Sequence, residues 1–168
     1  MGAAAGVWDR VFSNFHVEPD GSFVEREFQA AKYDRYLLRK AITLGAGTPR
    51  KAKNLGQRWR LTEDELVAWN ERRVDVMLGF VDKKVDDWEY VQEKLIATGD
   101  HNIVEFNRHH DNFWGDCTCM KCYKIGQNWL GETLMLVRRR LVDGTPYPVT
   151  YDEYMMHTLA ASHAPRSK

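Results

Sequence analysis

The chain has 168 residues, 43% of them hydrophobic and 29% charged, which describes one ordinary globular domain with a core of its own and excludes a disordered or low-complexity segment. Lys and Arg together number 24 and Asp and Glu number 24, so a protein that coats nucleic acid by bulk charge is excluded as well. No apolar run reaches the roughly 18–20 residues needed to cross a bilayer.

The opening stretch MGAAAGVWDR has neither the basic region nor the apolar run of a signal peptide, and GAAAGV lacks the hydroxyl residue of a myristoylation signal. Three cysteines, an odd number, do not make a disulfide framework. A cytosolic protein is expected. A first helix is predicted from Val24 to Leu44, rich in helix formers and stopping at GAGTPR. At 100° per residue, Ala30, Tyr33, Leu37, Ala41 and Leu44 share one arc, the predicted core face. Glu25, Gln29, Lys32 and Tyr36 fall on a second arc, half charged and half aromatic, which is either a solvated face or a pocket wall. Residues 35–60 carry Arg35, Arg39, Lys40, Arg50, Lys51, Lys53, Arg58 and Arg60 with no acid among them. A basic stretch on a neutral chain suits recognition of a few phosphates.

Thr62 followed by Glu65 is a capping box and opens a second helix running to about Val85. Its apolar arc, with Leu66, Trp69, Val74, Val76, Met77, Phe80 and Val81, has Arg73 and Lys84 in its midst. A cation there needs a carboxylate, an anionic ligand or the edge of the core. A third helix, DDWEYVQEKLIATGD, ends with Gly99 at C′. NIVEFN reads as a short strand, HHDNFWGDCTCMKCYKIGQ as an ordered loop, and NWLGETLMLVRRRL as a closing helix with Asn128 at its N-cap. Leu130, Leu134, Val137 and Leu141 form that helix's core stripe. The expected fold is a mainly α, compact single domain with at most a minor short-stranded element. It is divided into a leader (1–11), a domain (12–141) and an extension (142–168) with one short helix and a flexible tail.

Six stretches, in order over residues 12–138, resemble the YbiA-like or NADAR family: FSNF, EREFQAAKY, TPRKAKNLG, WNERRVDVML, LIATGDHNIVEFNRHHDNFWG and GQNWLGETLMLVR. The chain departs from that family's pattern at Arg26 and Glu27, at KKV after the long helix, and in the DCTCMKC insertion between Trp114 and Gly126. The resemblance implies a mostly helical fold and cleavage of an N-glycosidic bond between ribose C1 and a base. Two substrate classes go with it: ADP-ribosylated guanine in nucleosides or nucleic acid, and the phosphorylated ribosylamino-pyrimidine intermediates of riboflavin synthesis. It also implies that Lys32, the lysine of the Gln-Ala-x-Lys helix, attacks C1 and forms a Schiff base with the opened sugar.

Such a reaction needs an anion or nucleophile near C1 and a proton donor near the base. An amine attacks only when neutral, so burial or a nearby cation has to lower its pKa. Glu25, about 10 Å along the helix from Lys32 at 1.5 Å per residue, is assigned to ribose hydroxyls or proton transfer, with Gln29 between them on sugar or base. Asp111 is the next acid candidate, against a plain turn-capping role. Glu105 is either an outward strand residue or a buried acid with raised pKa. Trp114, beside the permissive Gly115, suits base stacking or core packing. The helix start at Asn128 suits phosphate, Arg73 suits phosphate or a buried pair, and Asn14 suits the base or the lysine.

Cys117, Cys119 and Cys122 supply three of the four ligands zinc takes, with His109, His110 or Asp116 as candidates for the fourth. Free surface thiols are the alternative reading. A zinc ion bound there would be structural, clamping the loop that carries Trp114, and catalysis is expected to require no cofactor. Outside enzymes, the rival is a zinc-clamped module that binds ADP-ribose or single-stranded nucleic acid without chemistry. No membrane or obligate protein partner is expected.

Overall fold

The computed structural model describes residues 6–122 and 125–144. Helices dominate: α1 (Val24–Ala31), α2 (Tyr36–Gly45), α3 (Pro49–Arg58), α4 (Glu63–Asp87), α5 (Glu89–Ala97) and α6 (Trp129–Asp143). A 3-10 turn at Arg10–Phe12 precedes them. Two strands of two residues each, β1 (Phe106–Asn107) and β2 (Asp116–Cys117), lie between α5 and α6 and pair in parallel, Phe106 opposite Asp116 and Asn107 opposite Cys117. This is the mainly α fold that the periodicity predicts. Among the described residues, no helix is long and apolar enough to cross a membrane.

The core is built on α4, the longest helix, which packs against α6 on one side and α1 on another. Trp69, Val74, Met77, Val81 and Val85 of α4 are buried, as are Leu130, Leu134 and Val137 of α6 and Val91 and Leu95 of α5. On α4 and α6 these residues follow the predicted arcs, except that Leu66 of α4 is 47% exposed and Val85 joins the face. Local signals hold too. Thr62 and Glu65 cap each other reciprocally at the start of α4, and Gly99 closes α5 in the left-handed region at φ 53°.

The predicted first helix differs from the structure: it is two helices, broken at residues 32–35. Tyr33 explains the break. It is 1% exposed, and its hydroxyl lies 2.6 Å from the Gly56 carbonyl and 2.8 Å from that of Trp59, so the chain turns inward to reach α3. Arg72 of α4 takes over the end of α1, donating to the Ala31 carbonyl at 3.1 Å and pairing with Asp34 at 3.3 Å. The predicted core face therefore fails beyond Tyr33: Leu37 and Leu44 are 76% and 74% exposed, and Ile42 is buried in their place. A helix that sequence reading did not anticipate, α3, follows at once, with Thr48 as its N-cap and Pro49 in its first turn. Ala52 and Gly56, one turn apart, are its buried face. A side chain at Gly56 would run into Gln29 of α1, so the glycine sets how closely α1 and α3 approach.

From Val7 onward the expected leader is docked: Val7 bridges to Ile103 and Val11 is buried. The helix and tail expected beyond Gly144, and the first five residues, lie outside the described residues.

Candidate active site

The polar arc of α1 faces α3 and the β1–β2 loop. Glu25, 3% exposed, is held by two neutral amides. Asn14 donates to its Oε2 at 2.6 Å and Gln29 to its Oε1 at 2.9 Å. The backbone repeats the link, Glu25 N–H donating to the Asn14 carbonyl at 2.9 Å. So Asn14, in the turn after the 3-10 element, is fixed to the first turn of α1 by side chain and main chain together.

Burial pushes the Glu25 carboxyl up to about 7 against the Gln29 hydrogen bond and the Lys53 charge, and the charges of Glu105 and Asp111 raise it further. Glu105, just before β1, is likewise pushed up to about 7, first by burial and then by Asp111, with Lys53 opposing. Three carboxyls thus share one electrostatic environment, with Lys53 as the cation facing them. Asn128 positions one of the three. Its side-chain oxygen accepts from the Glu105 N–H at 2.9 Å, and its amide donates to the Ile103 carbonyl at 2.8 Å.

Lys32 closes α1 at its C-cap. Its Nζ donates to the Gly56 carbonyl at 3.1 Å, and burial lowers its pKa. Gln29, packed against Gly56 and bonded to Glu25, links the lysine end of the arc to the carboxylate end. The arrangement places a half-buried amine and two acids, Glu25 and Glu105, that hold protons near neutral pH along one seam, the pairing an acid-assisted nucleophilic displacement requires.

Other predicted site residues take different roles. Asp111 caps its own turn, its Oδ1 accepting from Trp114 N–H at 2.9 Å and Phe113 N–H at 3.2 Å, while its charge acts on Glu25 and Glu105. Trp114, partly buried, packs against the core edge-on to Phe28 at 5.2 Å, the core-packing alternative of the two expected for it. The close approach at Gly115 is to the protein itself, since a side chain there would strike the Glu105 carbonyl and the Asn107 amide. Arg73 lies 3.5 Å over the Phe113 ring, so an aromatic face accommodates it. The start of α6 is not open to phosphate as expected from Asn128. Trp129 and Leu130 donate to the Phe113 and Trp114 carbonyls at 3.1 and 3.0 Å, and the Asn128 side chain makes no cap bond.

Lys53 is the residue that sequence reasoning missed as a site residue. It sits on α3 one position after buried Ala52, over the Phe15 ring at 5.6 Å. The signal was present in TPRKAKNLG, but with α3 unrecognised its face could not be assigned. Lys84, the other cation of the α4 arc, is structural. It pairs with Glu18 at 2.9 Å and donates to the Val11 and Ser13 carbonyls at 2.6 and 3.1 Å.

A cavity of about 290 Å³ opens beside this pair, lined by Val24, Glu27, Phe80 and Trp88 among others. Val24 and Glu27 point to a different side of α1 from Glu25, Gln29 and Lys32, at 100° per residue. The cavity is therefore separate from the acid cluster.

A family model described as the NADAR domain matches residues 10–142. The chain is 34% identical over 140 residues to an N-glycosidase of Nostoc punctiforme, covering 77% of this chain and 84% of that one. It is 32% identical over 127 residues to a riboflavin biosynthesis protein of Vibrio vulnificus, covering 73% of this chain but 31% of that protein's length. The solved structure of Escherichia coli YbiA superposes with a TM-score of 0.64 at 27% identity, over 79% of this chain and 78% of that one.

Proposed function

Because the chain belongs to the NADAR domain family, we propose that it is an N-glycosidase cleaving the bond between ribose C1 and a base, with ADP-ribosylated guanine as its substrate class. One observation carries this reading. A half-buried lysine and two carboxyls pushed up to about 7 share the seam of α1 with α3 and the β1 loop.

Lys32 is the nucleophile, because burial favours its neutral form. Its nitrogen bonds to C1, the C1–base bond breaks, and the electron pair leaves on the base nitrogen. Glu25 supplies the proton that neutralises the leaving base, then recovers one from the alkylated amine. The ribose ring opens to an imine on Lys32 as its ring oxygen is protonated. Water adds at C1, the lysine nitrogen leaves, and the amine is restored. Net, one water is consumed and the free base and free sugar are released. Burial keeps Glu25 protonated, with the charges of Glu105 and Asp111 adding to it and the Gln29 hydrogen bond and Lys53 opposing.

The exposed basic residues of α2 and α3, among them Arg39, Lys40, Arg50 and Lys51, favour a substrate carrying a pyrophosphate over a lone monophosphate. The similarity to a riboflavin biosynthesis protein favours a second substrate class, the phosphorylated ribosylamino-pyrimidines.

Liquid chromatography–mass spectrometry of the products from ADP-ribosylated guanosine tests the reading. Release of guanosine and ADP-ribose is expected, with a borohydride-trapped sugar adduct mapping to Lys32. An adduct on Lys53 would move the nucleophile to α3. No release, with turnover of the pyrimidine intermediates, would change the substrate class. No release from either would leave a binding module.

A further inference from the structure

The mechanism above makes no use of the cysteine-rich insertion, and the fold brings its parts together. The ring nitrogen Nδ1 of His110 lies 3.2 Å from Cys122 Sγ, 3.4 Å from Cys119 Sγ and 3.9 Å from Cys117 Sγ. All four donor atoms fall within 4.8 Å of one another. We propose that His110, Cys117, Cys119 and Cys122 bind one zinc ion, and that this ion is a structural clamp on the segment carrying Asp111.

The distances fit the metal better than they fit the alternatives. A tetrahedral zinc with Zn–S of about 2.3 Å and Zn–N of about 2.0–2.1 Å puts a histidine nitrogen about 3.5 Å from each thiolate. The three observed separations bracket that value. One imidazole nitrogen can hydrogen-bond one thiol well but not three at once. A disulfide would use two sulfurs and strand the third, and all three cysteines are free. Cys117 and Cys122 are also buried, 1% and 7% exposed.

The backbone prepares this arrangement in the described residues. Pairing of β1 with β2 fixes Cys117 opposite Asn107. The Asn107 side chain then gathers the intervening loop, accepting from the N–H groups of His109 and Asp111 at 3.0 and 3.3 Å and donating to the Asp111 carbonyl at 2.7 Å. His110 is turned by a left-handed backbone at φ 60°, a conformation that non-glycine residues seldom adopt. Cys119 and Cys122 close a turn of their own, with Cys122 N–H donating to the Cys119 carbonyl at 3.1 Å.

The same geometry settles which residue is the fourth ligand. His109 and Asp116 are not in the cluster, and Asp116 packs instead against the backbone of Gly126. With three thiolates and one imidazole the coordination shell is complete, which is the pattern of structural rather than catalytic zinc. Binding releases the three thiol protons and leaves no position for a water nucleophile. The neighbour of His110 is Asp111, whose charge acts on Glu25 and Glu105. The clamp therefore holds the loop that closes the acid cluster.

Elemental analysis of the untagged, reduced protein after dialysis against metal-free buffer is the test. One zinc per chain is expected, lost in Cys119→Ser and His110→Ala and kept in His109→Ala. Because the variants could misfold, the parent protein stripped of metal and titrated with cobalt(II) gives an independent reading. The visible bands of a tetrahedral thiolate site should saturate at one equivalent. Hydrogen exchange in 105–117 should rise on stripping and fall again with zinc, while α4 and α6 stay protected. No stoichiometric metal together with no cobalt bands would overturn the site. So would a disulfide in the dialysed parent, or retention of zinc by His110→Ala. Unchanged exchange in 105–117 would overturn the clamp.

Discussion

Among the described residues, Glu18 with Lys84 and Glu25 with Glu105 bury ionisable groups in opposite ways. Between α4 and the N-terminal turns, Lys84 meets Glu18 at 2.9 Å and donates to two backbone carbonyls, while Tyr90 donates to Glu18. Opposite charges are matched, and both partners have further polar contacts. Between α1, α3 and the β1 loop, Glu25 is buried and Glu105 partly buried near Asp111 without a matched ion pair, and Lys53, a cation that opposes their raised pKa, is exposed. There the burden of burial appears as two carboxyls that hold their protons up to about 7. A buried ion pair that is satisfied is a structural device, whereas like charges kept together mark a site where pKa is being tuned for chemistry.

The sharpest way to break the comparison is to remove one group from each place. Lys32→Ala should lower kcat for ADP-ribosylated guanosine by at least about 10³-fold, the scale of a lost nucleophile, with little change in the urea midpoint. Lys84→Met should do the reverse. Leaving the Glu18 carboxylate buried without its partner should cost about 3–5 kcal/mol in unfolding free energy, read from urea titration. If Lys84→Met retained full stability, the pair would not be the structural device described here.

How much of this contrast is legible in the sequence depends on how local each feature is. The core faces of α4 and α6, the Thr62–Glu65 capping box and the Gly99 stop follow from spacing within one helix, so periodicity finds them. The break after Ala31 does not, because it is enforced by the Tyr33 hydroxyl reaching α3 and by Arg72 reaching across from α4. Helix propensity over residues 24–44 has no access to either contact. The same blindness hid Lys53, whose position against Glu25 exists only once α3 is folded onto α1. The polar arc of Glu25, Gln29 and Lys32 was legible, since all three sit on one short helix. That Trp114 turns into the core beside Phe28 was not, because a loop tryptophan carries no periodicity.

The tuning itself can be sharpened with pH. With Glu25 protonated as the donor and Lys32 neutral as the nucleophile, kcat should be bell-shaped in pH, with one limb at about 7 set by Glu25. Glu105 raises the Glu25 pKa by its charge. Glu105→Gln should therefore move the limb near 7 to lower pH, and Lys53→Met, which removes a charge acting the other way, should move it higher. Equal limbs in all three proteins would show that the donor lies outside this cluster.

The smallest effect expected is on stability, and it has a definite sign. In the unfolded chain Glu25 loses its proton near its ordinary value of 4.5, but in the folded protein only near 7. Between those values the folded state binds more protons, so stability falls as pH rises from about 4.5 to about 7 and stays reduced above that. A shift of that size corresponds to about 3 kcal/mol, of which rearranging the Asn14 and Gln29 hydrogen bonds around a new amide should remove about half. Glu25→Gln, which has no proton to lose, should then unfold about 1–2 kcal/mol harder than the parent at pH 8. That advantage should shrink as pH falls through 7, cross zero between about 7 and about 4.5, and become a deficit of about 1–2 kcal/mol below about 4.5, where only the hydrogen-bond cost is left, as followed by urea titration across the range. The corresponding change in the other buried site, Glu18→Gln, should destabilise at pH 8 because it leaves the Lys84 ammonium without its counterion. One carboxylate replaced by the same amide would thus stabilise at pH 8 in one place and destabilise in the other, which follows if the first is buried without a matched cation and the second is paired.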